Sequence, residues 1–378
     1  MRCPLTSDLV LAIETSCDDT AAAVVAGGRR VLSSIVASQD DVHSLFGGVV
    51  PEVASRKHVE AITAVVQRAL DEAQVTWGDL GGLAVTNGPG LIGSLLVGVS
   101  AAKAYHLATG LPLVGVNHID AHLNSNFCDL PDLEGAPEDF PAVCLVASGG
   151  HSDLSLMLSR SEYRVLGCTR DDAAGEALDK AARLLKLGYP GGPAIQKAAE
   201  AGEPLFDLPR PIIEGTFDFS FSGLKTALMR LLQQLEKPSR ETSTRGRGFQ
   251  PRRGDETHAG IGAGSPSHDE GEPTGLPIAD LAASFQQAVV DTLVRNVREA
   301  AVQEGARQIL LAGGVAANKL LRAELARVGE ELDIPVRYPP FKLCTDNAAM
   351  VGAAAWSLLQ SGQRDGLALD VFSAMEAS

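Results

Sequence analysis

The order of predicted strands, turns and helices constrains the fold most, because the two halves of the chain repeat it. Residues 9–28 have the pattern of strand, polar turn and strand, and residues 81–108 that of buried strand, glycine turn and helix. Residues 141–158 and 307–329 repeat both patterns in the same order, although the residues differ. We therefore expect an α/β protein of two duplicated lobes that face each other across a cleft.

Two longer segments have the apolar spacing of amphipathic helices. Residues 56–73 and 279–305 each place apolar side chains on one helical face. Hydrophobic residues make up 45% of the sequence, which is enough to build cores for both lobes and excludes global disorder.

Residues 237–276 interrupt this order, since they are rich in glycine, proline, serine and charge and contain almost nothing to bury. We expect them to form a disordered insertion. Its first part, 237–253, is basic, and its second part, 254–276, is acidic. The segment is either a solvated linker or an insertion whose basic part contacts RNA.

The net charge and the spacing of the cysteines restrict the classes of protein to which the chain can belong. Lys and Arg number 32 against 47 Asp and Glu, a net charge of −15, which argues against non-specific nucleic-acid binding unless a local basic surface or a partner compensates. The 6 cysteines form no C-x-x-C pair, as expected in a reducing cytoplasm. We expect neither a signal peptide nor a membrane span, and hence a cytoplasmic location.

Four glycine turns follow predicted strands or precede predicted helices. A turn without Cβ atoms lets backbone N–H groups approach phosphate oxygens, and a following helix adds its positive end. Such turns also serve ordinary strand–helix connections, but four of them in a duplicated α/β chain favour a nucleotide in the cleft. They are NGPG at 87–90, SGGH at 148–151, YPGGP at 189–193 and AGGVAAN at 312–318.

The segment GVNHIDAHLNS, residues 115–125, places His118 and His122 one helical turn apart. Side chains at i and i+4 share a helix face, so both imidazoles can point at one metal ion. On this segment alone, two polar residues on a partly exposed turn remain the alternative.

Ten motifs in a fixed order identify a family. The motifs are IETSCDDT, GGVVPEVASRKHVE, NGPGLIGSLLVG, NHIDAH, SGGHS, DDAAGEALDKAARLL, YPGGP, FSFSGLKTAL, AGGVAAN and CTDNAAM. On these motifs the chain resembles the TsaD family of tRNA threonylcarbamoyladenosine transferases, formerly described as O-sialoglycoprotein endopeptidases, over roughly residues 9–236 and 277–360.

The resemblance implies an actin-like and sugar-kinase-like (ASKHA) fold with two RNase H-like lobes. It also implies transfer of a threonylcarbamoyl group from threonylcarbamoyl-AMP to the exocyclic amine of the adenosine beside the anticodon, in tRNAs that read codons starting with adenosine. We expect an N-terminal lobe over 1–118, a C-terminal lobe over 119–344 interrupted by 237–276, a C-terminal helix over 345–361 that returns to the N-terminal lobe, and a tail over 362–378.

The resemblance further implies a metal site. It assigns His118 and His122, together with Asp346 of CTDNAAM, to one divalent ion per subunit, with Fe2+ favoured over Zn2+. Two imidazoles and one carboxylate leave coordination positions open, as a site that polarises substrate oxygens needs. His58 and His151 have no histidine at i+4, and we expect them to be structural or to contact substrate.

The donor substrate is expected on the VASGG segment, where backbone N–H groups and the Ser148 hydroxyl can meet phosphate. The resemblance also places it against Asp179, Gly192 and Asn318. A surface salt bridge is the alternative for Asp179, and a helix cap is the alternative for Asn318. The VASGG residues are Val146, Ala147, Ser148, Gly149 and Gly150.

Asp18 and Asp19 occupy the tip of the first predicted hairpin, the corner that faces the phosphates in actin-like folds. They are candidates for positioning a nucleophile or accepting a proton, and solvated loop acids are the alternative. Many relatives have Glu where Asp19 stands, so its carboxylate is retracted by about one bond length. Lys225 of SGLKT either offers positive charge to the substrate or is a helix-surface lysine, and it is not counted among the site residues.

The family acts on tRNA with partner proteins, so the resemblance implies an inactive paralogue (TsaB-type) and a small ATPase (TsaE-type). It also implies association through the N-terminal lobe, as a homodimer or a heterodimer. An acidic catalytic subunit can obtain a basic surface from such partners.

Three other functions remain open. A metallopeptidase of the H-E-x-x-H type needs a glutamate directly after the first histidine, whereas Ile119 follows His118. An ATP-binding kinase or chaperone of the same fold class does not need a paired-histidine metal site. A non-enzymatic scaffold would bind nucleotide and partners without transferring a group to tRNA.

Overall fold

The computed structural model describes residues 7–44, 48–128, 139–236 and 275–373. The predicted disordered insertion, 237–276, lies outside the described residues except for its last two. Within the described ranges the chain forms two five-stranded sheets with helices on both faces.

The first sheet has the strand order β3-β2-β1-β4-β5. Strands β1, β2 and β3 form an antiparallel meander, whereas β4 and β5 continue the sheet parallel to β1. The strands are β1 Leu9–Glu14, β2 Thr20–Ala26, β3 Arg30–Ala37, β4 Gly82–Gly88 and β5 Leu113–Asn117.

The second sheet repeats this topology, with the order β10-β9-β6-β7-β8. Again the first three strands form an antiparallel meander and the last two join parallel to the first. When the strands of each sheet are numbered in chain order, both sheets therefore have the order third, second, first, fourth, fifth. The predicted duplicated α/β fold is confirmed. The strands are β6 Ala142–Ala147, β7 Ser152–Met157, β8 Tyr163–Gly167, β9 Gln308–Ala312 and β10 Val336–Arg337.

The helices come mainly after the three-stranded meanders and between the parallel strands, where crossover connections require them. They are α1 Asp40–Ser44, α2 Pro51–Ala73, α3 Ile92–Thr109, α4 His118–Ser125, α5 Ala174–Leu184, α6 Gly191–Ala199, α7 Ser222–Leu235, α8 Ile278–Gln303, α9 Lys319–Leu332 and α10 Ala348–Ser361.

Both faces of each sheet are covered, which explains why β1, β2 and β6 are apolar almost throughout. One face of the first sheet packs on α2 and α3, and the other packs on α10. The outer face of the second sheet packs on α5 and α8. Strands buried on both faces need continuous apolar runs rather than alternating ones, and these strands have them.

Helix α4 lies between the two sheets. Its Ala121 joins the apolar cluster that α10 forms with the first sheet. Leu123, followed by Phe127 just beyond the helix, packs instead on the second sheet. Any side chain at the start of α4 is therefore placed at the junction of the two lobes.

The segment after α10 covers the open edge of the first sheet. The backbone N–H of Asp365 donates to Leu113 O at 2.8 Å, and the Asp365 carboxylate accepts from Gly115 N–H at 2.8 Å. Further on, Phe372 N–H donates to Asn87 O at 3.0 Å. A Cβ on Gly88 would lie 2.6 Å from Phe372 O, so this part of the NGPG turn is packed against the chain itself.

Candidate metal centre and adjoining cleft

The two histidines are positioned by the cap of α4. Asn117 precedes the helix, and its side-chain Oδ1 accepts from Ile119 N–H at 2.8 Å and from Asp120 N–H at 3.4 Å. This N-cap satisfies two backbone donors and fixes where the helix begins. His118 and His122 consequently share one helix face, with ring centroids 4.7 Å apart.

Asp346, on the turn before α10, meets both histidines. Its Oδ1 lies 3.6 Å from His118 Nε2 and 3.2 Å from His122 Nε2. One ligand atom from each of the three residues lies within 4.8 Å of the others. The histidines are buried and the Asp346 side chain is 25% exposed, so the group is open on the aspartate side.

The three residues fit a metal ion better than a hydrogen-bonded cluster. Both ring nitrogens of His122 are buried and form no hydrogen bond within the described part of the chain. Its 3.2 Å contact with Asp346 therefore brings the atoms close without hydrogen-bond alignment. Buried polar atoms without a partner are costly, and a cation between the three ligand atoms would remove that cost. A ligand set of two imidazoles and one carboxylate suits Fe2+ or Zn2+.

Glu14, at the end of β1, orients His118 from behind. Its Oε2 lies 3.1 Å from His118 Nδ1 and accepts from the Thr86 hydroxyl at 2.6 Å, while its Oε1 accepts from Ser16 N–H. Glu14 is fully buried. Glu14 is not among the site residues predicted from the sequence, although an acid that ends a buried apolar strand was the available signal.

The charges of this group are strongly coupled. Burial works against protonation of His118, but the carboxylates of Asp346 and Glu14 outweigh it and raise the pKa of His118 to about 9. Burial would raise the carboxyl pKa values of both acids, yet the neighbouring histidines hold each of them below its ordinary value. Without a metal, the group therefore stores a proton between two carboxylates.

The other two histidines of interest have different surroundings. His58 is buried, with Nδ1 2.8 Å from the Thr20 hydroxyl and Nε2 3.0 Å from Cys17 O, so both ring nitrogens hold the β1–β2 turn. The His151 ring lies 6.4 Å from that of His118. Burial, followed by the charges of His118 and His122, lowers the pKa of His151 to about 4, so its ring is neutral at pH 7.

The VASGG segment runs from the end of β6 into an open turn. Val146 and Ala147 are buried in the strand, whereas Gly149 and Gly150 are exposed. Ser148 N–H donates to His151 O at 2.8 Å, and the Ser148 hydroxyl accepts from His151 N–H at 3.1 Å. Because His151 adjoins His118, this turn lies next to the candidate metal ligands.

Asp179 connects α5 to the first turn of α6. Its Oδ1 accepts from Gly191 N–H at 2.7 Å, and a Cβ on Gly191 would lie 2.4 Å from Asp179 Cα. Burial raises the pKa of the Asp179 carboxyl above its ordinary value despite this bond. The next residue, Gly192, has no described heavy atom within 4 Å of the position of a Cβ, so its Cα faces open space.

Asn318 caps α9, which is the alternative to a substrate contact that the sequence left open. Its Oδ1 accepts from Leu321 N–H at 3.0 Å, and its Nδ2 donates to Gln286 Oε1 at 3.0 Å. The adjacent Lys319 N–H donates to Gln196 Oε1 on α6 at 2.8 Å. The start of α9 is therefore fixed beside α6, and Gly192 is one helical turn before Gln196.

Asp18 and Asp19 lie in the β1–β2 turn and are half-buried. This turn adjoins the metal candidates, since the hydroxyl of Ser16 lies 3.2 Å from His118 Nδ1. Burial, followed by the charges of Asp18 and Asp346, raises the pKa of the Cys17 thiol above its ordinary value. Lys225 lies in the first turns of α7 and is half-buried rather than fully exposed on the helix surface.

Across the described ranges, none of the helices combines the length and apolarity needed to cross a bilayer.

Two lobes of identical sheet topology define a protein of the actin and sugar-kinase fold class. HypF from T. kodakarensis shares this fold, with a TM-score of 0.57 over 96% of this chain and 49% of that chain at 14% identity. Full-length HypF in its phosphate- and nucleotide-bound form gives 0.54, over 94% and 47% at 12% identity.

Comparison of the sequence with known families identifies the family within this fold class. The family model for TsaD, tRNA N6-adenosine threonylcarbamoyltransferase, matches residues 30–353, and the chain belongs to this family. The Thermomicrobium roseum member is 51% identical over 369 residues, covering 96% of this chain and 95% of the relative. The Geobacillus kaustophilus member is 49% identical over 363 residues, with coverages of 96% and 94%. The family and the transferase class predicted from the sequence are thus confirmed.

Proposed function

We propose that this chain transfers the threonylcarbamoyl group of threonylcarbamoyl-AMP to the N6 amine of the adenosine beside the anticodon, in tRNAs that read codons starting with adenosine. The observation that carries the assignment of the site is the convergence of His118, His122 and Asp346 at the lobe junction, with the ring nitrogens of His122 left unsatisfied.

In this proposal one divalent cation, Fe2+ in first place or Zn2+, is held by His118 Nε2, His122 Nε2 and Asp346. When bound, it supplies a Lewis acid for donor oxygens. Glu14 keeps the proton of His118 on Nδ1 and so leaves Nε2 free to bind the ion. The 25% exposure of the Asp346 side chain leaves the substrate side of the site open.

The AMP part of the donor lies, in this proposal, along the cleft face of the second lobe. The exposed Gly149 and Gly150 offer backbone N–H groups to the phosphate, and the carboxylate of Asp179 is available to ribose hydroxyls. Gly192 gives the nucleoside space, since a side chain there would project into the open region. The side chain of Asn318 already caps α9, so in this proposal Asn318 contributes to donor binding through its position at the start of that helix.

The reaction forms a bond from adenosine N6 to the carbamoyl carbon and breaks the bond from that carbon to the phosphate oxygen. AMP leaves, and N6 loses one proton. The donor is already activated and the amine is a poor nucleophile, so positioning and charge stabilisation supply most of the rate enhancement. Asp18 and Asp19, on the turn that faces Asp346, are the candidates for receiving the proton.

Partner proteins complete the proposed system. A TsaB-type paralogue and a TsaE-type ATPase would join the first lobe, where Val59 on α2 is 65% exposed and Leu96 on α3 is 46% exposed. A contiguous patch of exposed apolar side chains marks an interaction surface, and the proposal requires Val59 and Leu96 to belong to one. The same surface can pair two copies of this chain when the paralogue is absent.

The test is transfer of labelled threonine into tRNA from ATP, threonine and bicarbonate, with a separate enzyme that makes the adenylate. We expect modification that depends on this chain and on metal, and its loss in His118→Ala with the fold retained. Full activity of His118→Ala under metal-free conditions would defeat the proposed role of the site. Glycoprotein cleavage or ATP-dependent phosphorylation without tRNA modification would reject the function itself.

A further inference from the structure

An arginine stacked between two aromatic rings stands on the surface of the second lobe. The Arg322 guanidinium on α9 lies 4.2 Å from the Tyr338 ring centroid and 4.5 Å from that of Phe341. Its Nε donates to Ala316 O, and its Nη2 lies 3.3 Å from Cys344 Sγ. These contacts fix the guanidinium in place, and the guanidinium in turn supports both rings.

The Phe341 ring is exposed despite this support. It is 62% exposed, and Tyr338 is 37% exposed, as measured on the described residues. The neighbouring Lys342 is also exposed. An aromatic ring held rigidly in water, with a cation behind it and another beside it, is typical of a surface that stacks a base.

The local charge contrasts with that of the whole chain. Residues 334–345 contain Arg337 and Lys342, with Asp333 and Asp346 directly at the two ends, whereas the chain carries a net charge of −15. Arg322 and Lys342 are therefore the cations next to the Phe341 ring, and Lys342 is exposed enough to meet a phosphate group.

The position of this surface relates it to the site. Ala316, which accepts from Arg322, lies in the turn that leads to Asn318. Beyond Phe341 the chain continues directly to Asp346, and Thr345 lies against Gly314 of the same glycine turn. The stacked rings thus lie on the rim between the proposed donor position and the proposed metal ligand.

We propose that Phe341 is a stacking platform for an unpaired tRNA base next to the target adenosine, and that Lys342 contacts the adjacent phosphate. This inference rests on the proposed function, because it assigns the RNA side of the same cleft. Bases in an anticodon loop are unpaired and are recognised by stacking on aromatic side chains and arginine planes. The exposed ring face accepts any base, so the platform positions the loop without reading its sequence.

The experiment uses the full chain and an anticodon stem–loop RNA with 2-aminopurine on the 3′ side of the target adenosine. Stacking on Phe341 quenches the fluorophore. We expect Phe341→Leu, which keeps an apolar side chain but removes the ring, to abolish the quenching and to raise the RNA Kd by roughly 5- to 100-fold. Phe341→Trp should retain both signals. Val302→Ala, a change at another exposed apolar residue, should behave like the wild type.

Several outcomes overturn the inference. One is that Phe341→Leu quenches the fluorophore and binds the RNA as the wild type does. Another is that the wild-type chain shows no measurable RNA binding. A third is that Phe341→Leu loses only the binding of partner proteins and keeps its RNA binding. The transfer assay separates this inference from the proposed function. If the wild type modifies tRNA and Phe341→Leu keeps the same KM for tRNA, only the stacking platform fails. If the wild type modifies no tRNA with its partners present, the proposed function fails, and the RNA titration still decides the stacking.

Discussion

Glu14 Oε2 lies 3.1 Å from His118 Nδ1, and this contact determines which nitrogen of the histidine faces the cleft. A carboxylate can only accept, so Nδ1 keeps its proton and Nε2 is the nitrogen that faces Asp346 and gives up its proton when a metal binds. Glu14 itself is fixed by the hydroxyl of Thr86 at 2.6 Å. A buried acid behind a histidine ligand is how many proteins fix the tautomer of a metal-binding imidazole.

The first prediction concerns this contact. Glu14→Gln should lower metal affinity by about 10- to 100-fold, because the amide is neutral and can direct its NH2 group at the ring. Thr86→Val leaves the carboxylate in place and removes only one of its hydrogen bonds, so its effect should be several times smaller. Titration against a competing chelator measures both. Equal affinities in Glu14→Gln and the wild type would contradict the orienting role.

The second prediction separates the candidate ligands from a structural histidine. His122→Ala should reduce bound metal from about one ion per chain to a small fraction, because it removes one of three protein ligands. His58→Ala should lower thermal stability, since His58 holds Thr20 and the Cys17 carbonyl, but should keep the metal. Elemental analysis with a melting curve distinguishes the two. Metal retained in His122→Ala and lost in His58→Ala would reverse the assignment.

The third prediction concerns pH. Burial opposes the charge on His118, but Asp346 and Glu14 raise its pKa to about 9, so metal must displace a proton at pH 7. Metal affinity should therefore rise by up to about tenfold per pH unit until about pH 9 and then level off. Calorimetry in buffers of different ionisation enthalpy should detect the released proton. Affinity that is independent of pH between 7 and 9 would show that His118 binds as an already neutral ring.

The same shift affects the stability of the metal-free protein. A raised pKa in the folded state stabilises the fold fully below the unfolded value of 6.5, and this contribution is lost as the pH rises through about 9. Denaturant unfolding of the metal-free chain should give a lower free energy at pH 9.5 than at pH 6.5. The difference should shrink in Glu14→Gln, because one of the two carboxylates responsible is gone.

The fold was predictable from the sequence because its signals are local. Each half has an early strand–turn–strand pattern and a late strand–glycine–helix pattern, and both sheets have the topology that this order implies. The pairing of His118 with His122 was likewise visible, since i and i+4 share a helix face. The approach of Asp346, more than 200 residues away in sequence, came from the family resemblance and not from any local pattern.

The contacts that complete the site could not be predicted in this way. Nothing in the spacing of Glu14 and Thr86 shows that β1 and β4 are neighbours in the sheet, and the hydrogen bond between them depends on that pairing. The aromatic support of Arg322 depends on how α9 packs against the segment before Asp346. The covering of Gly88 by Phe372 depends on the path of the tail. Such contacts are long-range consequences of packing rather than of local spacing.

The last prediction compares two adjacent glycines in the first turn of α6. Gly191→Ala should destabilise the fold by about 1–3 kcal/mol, because the new Cβ would lie 2.4 Å from Asp179 Cα and would disturb the bond from Gly191 N–H. Gly192→Ala should change stability by less than about 1 kcal/mol, since its Cβ meets no described atom within 4 Å. If the donor nucleoside lies in that space, Gly192→Ala should raise the KM for threonylcarbamoyl-AMP by about tenfold while its melting temperature stays near that of the wild type. Steady-state kinetics and thermal unfolding of the two variants measure this pair of effects. An unchanged KM in a stably folded Gly192→Ala would place the donor elsewhere in the cleft.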